Sequence, residues 1–187
     1  MNDHKGFFAM MARMKYIERW ALMRNSVSEN ICEHSLEVAM LAHGLGIIGR
    51  KRFGKDLSPE RLAMLGMYHD CTEIITGDMP TPVKYANDEL KEAYKAIEDS
   101  AAHRLLEMLP EDLRAEYESY FLPEQITPEE YRYVKAADKL SALIKCIEEE
   151  KTGNQEFRSA KQATYESLQQ MNMPEVTVFC EVFLPEY

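Results

Sequence analysis

Thr127-Pro128-Glu129-Glu130 constrains the fold more than any other stretch of this chain. A threonine that can accept from the backbone three residues on, a proline at the first helical position and a glutamate that can reach back form a capping box. The residues that follow, "YRYVKAADKLSALIKCIEEEK", contain neither glycine nor proline, so a long helix runs to about residue 151, where Gly153-Asn154 stops it. The same punctuation recurs along the chain. Asp3 can cap a first helix reaching about residue 16, with Phe7, Phe8, Met11 and Met14 as its apolar stripe. After the loop "IERWALMRNSVSEN", a second helix covers about residues 31–52, where Val38, Leu41, Leu45 and Ile48 keep helical spacing. Ser58-Pro59 opens a third, expected to run to about residue 75 and to be ended by Gly77, Pro80 and Pro82.

Charged, alanine-rich helices are expected at about residues 87–109 and 111–121, and another at about 155–171. The tail "PEVTVFCEVFL" reads both ways. Val176, Val178, Cys180 and Val182 alternate as in a strand, whereas Val176, Phe179 and Phe183 fit a helix. No other segment offers a strand partner, so a helix is expected. With no repeat, low-complexity tract or linker, the chain reads as one all-α domain over residues 1–187.

Composition narrows the function. With 22 basic against 32 acidic residues the net charge is −10, which argues against a broad surface for nucleic-acid polymers or anionic membranes. A local cationic pocket for a small anion remains compatible with it. The four cysteines, Cys32, Cys71, Cys146 and Cys180, form no CxxC pair and read as reduced thiols of a cytosolic protein. The apolar stretch "GFFAMMARM" follows Asp3, contains Arg13 and lacks a small-residue cleavage site, so it is not read as a signal peptide. The best apolar run, "VAMLAHGLGII", holds His43 and is about half the length of a membrane span. A soluble, cytoplasmic protein is expected.

The polar residues of "GMYHDCTEIITGDMPTPVKY" (66–85) stand where a helix would ordinarily bury a core face. His69 and Glu73 are four apart, about 40° around a helix, and share a face; Asp70 flanks them. His34 and His43 are nine apart, about half a turn out of phase, so only one can face a given site. His4, near the terminus, and His103, in a charged helix, read as surface residues. Asp138 stands among Val134, Ala136, Ala137, Leu140 and Ala142, where an unpaired carboxylate would be costly to bury. Pairing with Lys135 or Lys139 would satisfy it, and so would a metal ion.

His34, His69-Asp70 and Asp138, in that order on three expected helices, resemble the HD-domain metal-dependent phosphohydrolases. "RWALMRN" (19–25), "ENICEHSLEVAMLAH" (29–43), "MYHDCTEIITGDMPTPVKY" (67–85) and "VKAADKLSALIKCIEE" (134–149) are similar to the 5′-deoxynucleotidases of the YfbR type, and the resemblance runs from about residue 7 to 184. It implies a helical HD-fold bundle whose metal-binding core spans about residues 28–150. It also implies hydrolysis of deoxyribonucleoside 5′-monophosphates, and it supports a homodimer. His34, His69, Asp70 and Asp138 would hold one divalent transition metal ion. Two imidazoles and two carboxylates suit Mn²⁺, Co²⁺, Fe²⁺ or Zn²⁺ better than Mg²⁺.

Glu73, on the face of His69, is the candidate general acid/base. The resemblance gives Arg19 to the phosphate and Trp20 to the sugar at C2′, against a 2′-hydroxyl. Asp78, Met79, Pro80 and Thr81 would line the sugar side, with Asp78 holding a 3′-hydroxyl or passing a proton to the leaving oxygen. His34, Asp70 and Asp138 would also border the nucleotide. Two rival readings stand beside this one. The first is an HD phosphohydrolase acting on a triphosphate or an alarmone, against which counts Ile74 where alarmone hydrolases carry an aspartate. The second is a non-catalytic HD scaffold, against which counts the presence of all four ligand positions.

Overall fold

The Thr127 capping box closes in both directions in the computed structural model, which describes residues 6–84 and 86–187. Thr127 Oγ1 accepts from Glu130 N at 3.2 Å, and Glu130 Oε2 accepts from Thr127 N at 2.8 Å. The helices in chain order are α1 (Phe7–Met11), α2 (Ile31–Phe53), α3 (Pro59–Tyr68), α4 (Glu73–Thr76) and α5 (Thr81–Lys84). They continue with α6 (Asp88–Leu106), α7 (Glu111–Phe121), α8 (Pro128–Lys151), α9 (Arg158–Gln170) and α10 (Pro174–Val182). No strand forms among the described residues; one antiparallel bridge joins Glu18 and Asn30. The fold is all-α.

The chain divides into two compact units. One takes in the chain up to Leu22, Ser28–Glu33 and Tyr68–Ile126; the other takes in Met23–Val27, His34–Met67 and Thr127–Tyr187. In the first, α1, α4, α5 and α7 pack on α6. Its core gathers Phe7, Met14, Ile31, Cys71, Leu105, Leu106, Leu109 and Phe121. Rings interlock there in the edge-on and tilted geometries aromatic pairs prefer, Phe7 with Tyr117 at 5.0 Å and Tyr68 with Phe121 at 5.3 Å. In the second unit α8 and α9 pack along each other. Gly66 lets α3 meet α2 backbone to backbone, since a Cβ there would stand 3.0 Å from Ala39 Cα. Val38, Leu41, Leu45 and Ile48 are buried, as their spacing requires.

Several expectations are corrected. Asp3, expected to cap the first helix, and His4 lie outside the described residues. The first helix ends at Met11 and tightens into a 3₁₀ turn over Ala12–Tyr16, and Phe8 of its expected stripe is exposed. The third helix stops at Tyr68, not near residue 75. Across His69–Thr72 the backbone closes i→i+3 bonds, with Cys71 N donating to Tyr68 O, Glu73 N to Asp70 O and Ile74 N to Cys71 O. Burial of Cys71 in the first core accompanies this tightening; a tertiary contact overrides the local helical pattern. Pro80 and Pro82 do not leave a plain loop, because Val83 N and Lys84 N donate to Pro80 O and close α5. The tail forms the expected helix, α10. By length and composition α2 is long and apolar enough to cross a membrane, more than its best apolar run implied, and half of its most apolar 18-residue stretch is buried within the protein.

Candidate active site

The loop before α2 is closed like a hairpin: Arg19 N donates to Glu29 O and Ile31 N to Ile17 O, both at 2.9 Å. Asn30 then caps α2, its Oδ1 accepting from Cys32 N and Glu33 N. This closure brings Arg19 and Trp20 onto one carboxylate. Glu29 Oε2 accepts from Arg19 Nε at 3.3 Å and from Trp20 Nε1 at 2.6 Å. Trp20 sits at φ +61°, a left-handed conformation that is a true outlier for a bulky residue and costs about 1–3 kcal/mol. The guanidinium also reaches forward, its NH1 lying 3.5 Å from Asp70 Oδ2.

In the turn between α3 and α4, His69 Nε2 lies 3.0 Å from Asp70 Oδ2. Four residues on, Glu73 is buried, and its Oε2 has no hydrogen-bond partner among the described residues. Burial raises the proton affinity of this carboxyl above the ordinary carboxylate range. The negative charges of Asp70 and Asp78 push the same way, against a smaller opposing pull from Arg19 and Lys84. Because α3 ends at Tyr68 and Glu73 N donates to Asp70 O, His69 and Glu73 are not one turn apart on a continuous helix.

Gly77 (φ +75°) turns the chain out of α4, a conformation glycine adopts without penalty. Its carbonyl is held by the Tyr94 hydroxyl at 3.1 Å. Asp78, Met79 and Pro80 are half-buried beyond it, and Thr81 is exposed at the start of α5. Lys84 pairs with Glu98 at 2.9 Å and lies over the Tyr94 ring.

The second unit carries His34 on α2 and Asp138 on α8. His34 is fully buried, and its Nε2 lies 3.3 Å from Asp138 Oδ1. Lys135 Nζ binds the other oxygen, Oδ2, at 2.7 Å, so the lysine pairing expected as one alternative does form. It occupies one carboxylate oxygen and leaves the other toward His34. His43 and His103 are exposed. Each unit thus presents an imidazole Nε2 against a carboxylate oxygen.

Three residues that sequence reasoning did not single out join these groups. Glu29 holds Arg19 and Trp20. Ser141 Oγ lies 3.0 Å from His34 Nδ1 and donates to Glu37. Glu37 stands three residues after His34 and Ser141 three after Asp138, a spacing of one helical turn that marks both as neighbours of a ligand position. Below them, buried Glu149 accepts from Ser26 N, Asn154 Nδ2 and Lys145 Nζ and ties residues 23–27 to α8.

The helical architecture is that of the HD-domain phosphohydrolases. It matches an HD-domain phosphohydrolase from Listeria innocua with a TM-score of 0.83 at 23% identity, over 96% of this chain and 87% of that one. It also matches the HD phosphohydrolase DatZ of cyanophage S-2L, solved with dA and one catalytic Zn²⁺, with a TM-score of 0.68 at 22% identity, covering 96% of each chain. Sequence narrows the class further: the chain belongs to the 5′-deoxynucleotidase YfbR-like family, whose model matches residues 6–187. A 5′-deoxynucleotidase of Vibrio cholerae serotype O1 is 48% identical over 97% of this chain and 93% of its own length.

Proposed function

We propose that this chain is a metal-dependent phosphomonoester hydrolase that converts deoxyribonucleoside 5′-monophosphates to deoxyribonucleoside and phosphate. It acts as a single HD domain over residues 1–187, in the cytoplasm and as a homodimer. The observation that carries the reading is 48% identity with a 5′-deoxynucleotidase over nearly the whole of both chains. Exposed apolar side chains such as Leu36 and Met40 support the association of two copies.

His34, His69, Asp70 and Asp138 are the proposed ligands of one divalent transition ion, Co²⁺, Mn²⁺ or similar. The chemistry of the donor set supports it, because His34, His69 and Asp70 bring the ligand atom types such an ion takes. In each unit an imidazole nitrogen faces a carboxylate oxygen, a pair of donor atoms that a divalent transition ion takes. When bound, the ion supplies Lewis-acid polarisation of the phosphoryl group and acidifies a water.

The chain's own residues do the rest. Arg19, steadied by Glu29, offers its fork to the non-bridging phosphoryl oxygens and steps away from Asp70 to do so. Glu73, buried and with a raised proton affinity, orients the attacking water and handles its proton. Asp78 binds the sugar or returns a proton to the departing 5′-oxygen, and Met79, Pro80 and Thr81 line the same side. Trp20, pinned through Nε1, packs against C2′ and leaves no room for a 2′-hydroxyl. His34, Asp70 and Asp138 also border the phosphate.

The experiment is phosphate release from dAMP, dTMP, AMP and dATP after chelation, and again after adding Mn²⁺, Co²⁺ or Mg²⁺. The expected result is turnover of dAMP and dTMP, lost on chelation and restored best by Co²⁺ or Mn²⁺. Preference for dATP or AMP, or full activity after chelation, would overturn the reading.

A further inference from the structure

A hydrogen-bonded chain behind His34 has a direction, and the direction decides which imidazole nitrogen is available. Ser141 has one hydroxyl hydrogen and two hydrogen-bonding neighbours among the described residues. Glu37 Oε2, a carboxylate oxygen in very close contact, can only accept, so the hydrogen goes there. Ser141 Oγ is left to accept, and the group 3.0 Å away is His34 Nδ1. Nδ1 must therefore carry the imidazole hydrogen, and the lone pair of the neutral ring lies on Nε2. That nitrogen is 3.3 Å from Asp138 Oδ1, inside a side chain with no solvent exposure.

We infer that Glu37 and Ser141 are positioning residues: they lock His34 into its Nδ1–H tautomer and so present Nε2, beside Asp138, as a preformed cation ligand. The inference rests on the proposed metal-dependent reading and adds to it the device that prepares one ligand before any ion arrives. The geometry is economical, because α2 supplies His34 and Glu37 and α8 supplies Asp138 and Ser141, each pair one turn apart. Lys135 completes it by engaging Asp138 Oδ2, which leaves Oδ1 facing Nε2. Hydrogen bonds of this kind behind a ligating histidine typically change metal affinity by about 10–100-fold when removed.

The test uses wild type, Ser141→Ala, Glu37→Ala and Glu37→Gln. Long-range ¹H–¹⁵N spectra of the metal-free proteins read the His34 tautomer, and calorimetric titration with Co²⁺ reads the affinity. Wild type is expected to be the Nδ1–H tautomer. Ser141→Ala and Glu37→Ala are expected to mix tautomers and to bind Co²⁺ about 10–100-fold more weakly. Glu37→Gln, whose amide oxygen still accepts from Ser141, should stay within a few-fold of wild type. Ser141 is buried, so circular dichroism checks each fold; the half-buried Glu37 position carries the test if Ser141→Ala fails to fold. An Nε2–H tautomer in wild type, or unchanged tautomer and affinity in folded Glu37→Ala, overturns the inference. Failure of wild type to bind any ion overturns the metal-dependent reading instead, and the metal-free spectra still decide the tautomer.

Discussion

Glu73→Gln should move stability and activity in opposite directions. Glu73 is buried, leaves Oε2 without a partner among the described residues, and lies near the negative charges of Asp70 and Asp78. Its folded-state proton affinity is raised, first by burial and then by those charges. The sign follows from linkage. A raised carboxyl contributes stability below its ordinary value, and that contribution is lost as pH rises through the folded-state value. Each tenfold rise in proton affinity corresponds to about 1.4 kcal/mol of folding free energy forfeited at high pH. The isosteric amide carries no such dependence.

Metal-free Glu73→Gln should therefore match wild type near pH 4.5 and gain on it by up to about 1.4 kcal/mol per pH unit above that, a gap of a few kcal/mol by pH 8. For a chain of this size each kcal/mol is roughly 2–4 °C in Tm. The same variant should keep its metal and lose about 10²–10⁴ in kcat, the scale of a general acid/base. Calorimetric melts at the two pH values, with phosphate release from dAMP at saturating metal, measure both. A Tm gap that does not widen with pH, or turnover within tenfold of wild type, would refute the assignment.

Asp70→Ala should abolish turnover and stoichiometric metal, read by elemental analysis after gel filtration, because it removes a carboxylate that would neutralise the ion. Glu149→Ala should destabilise the fold by about 3–5 kcal/mol in chemical denaturation, since buried Lys145 is left unpaired. Glu149 is held down to about 2, so the stability it contributes is present above its ordinary value of 4.5 and fades as pH falls toward 2. Trp20→Ala should narrow the dAMP/AMP ratio of kcat/KM, chiefly by raising AMP relative to dAMP. Trp20→Phe, which keeps a ring but loses the bond to Glu29, should retain part of the discrimination; an unchanged ratio in folded Trp20→Ala would reduce Trp20 to a loop anchor.

The capping box of α8, the stripe of α2 and the helical tail were all legible, because each is decided by local chemistry or by burial of one face. The break after Tyr68 was not. Apolar residues continue through Ile74 and Ile75, and nothing local separates a regular helix from one that tightens at His69–Thr72. What distinguishes them is Cys71, buried in a core assembled from α1, α6 and α7, a partner set that residue spacing does not reveal. Glu29 was hidden for a related reason: its role depends on a hairpin-like closure in a segment that reads as plain loop.

That break changes the grounds on which Glu73 is assigned. On a continuous helix its place beside His69 would follow from spacing alone, about 6 Å along the axis and 40° around it. With Glu73 N bonded back to Asp70 O, spacing no longer carries the assignment, and burial takes its place. A carboxylate kept from water beside two others is held against its own electrostatics. Such a group persists when the surrounding structure over-determines it and its strain serves a reaction. Trp20 presents the same sign in backbone form, a bulky residue at positive φ whose indole N–H is held by a Glu29 carboxylate oxygen. Both costs fall within the unit that also carries Arg19, His69, Asp70 and Asp78, and Glu29 and Asp70 connect them through two edges of one guanidinium.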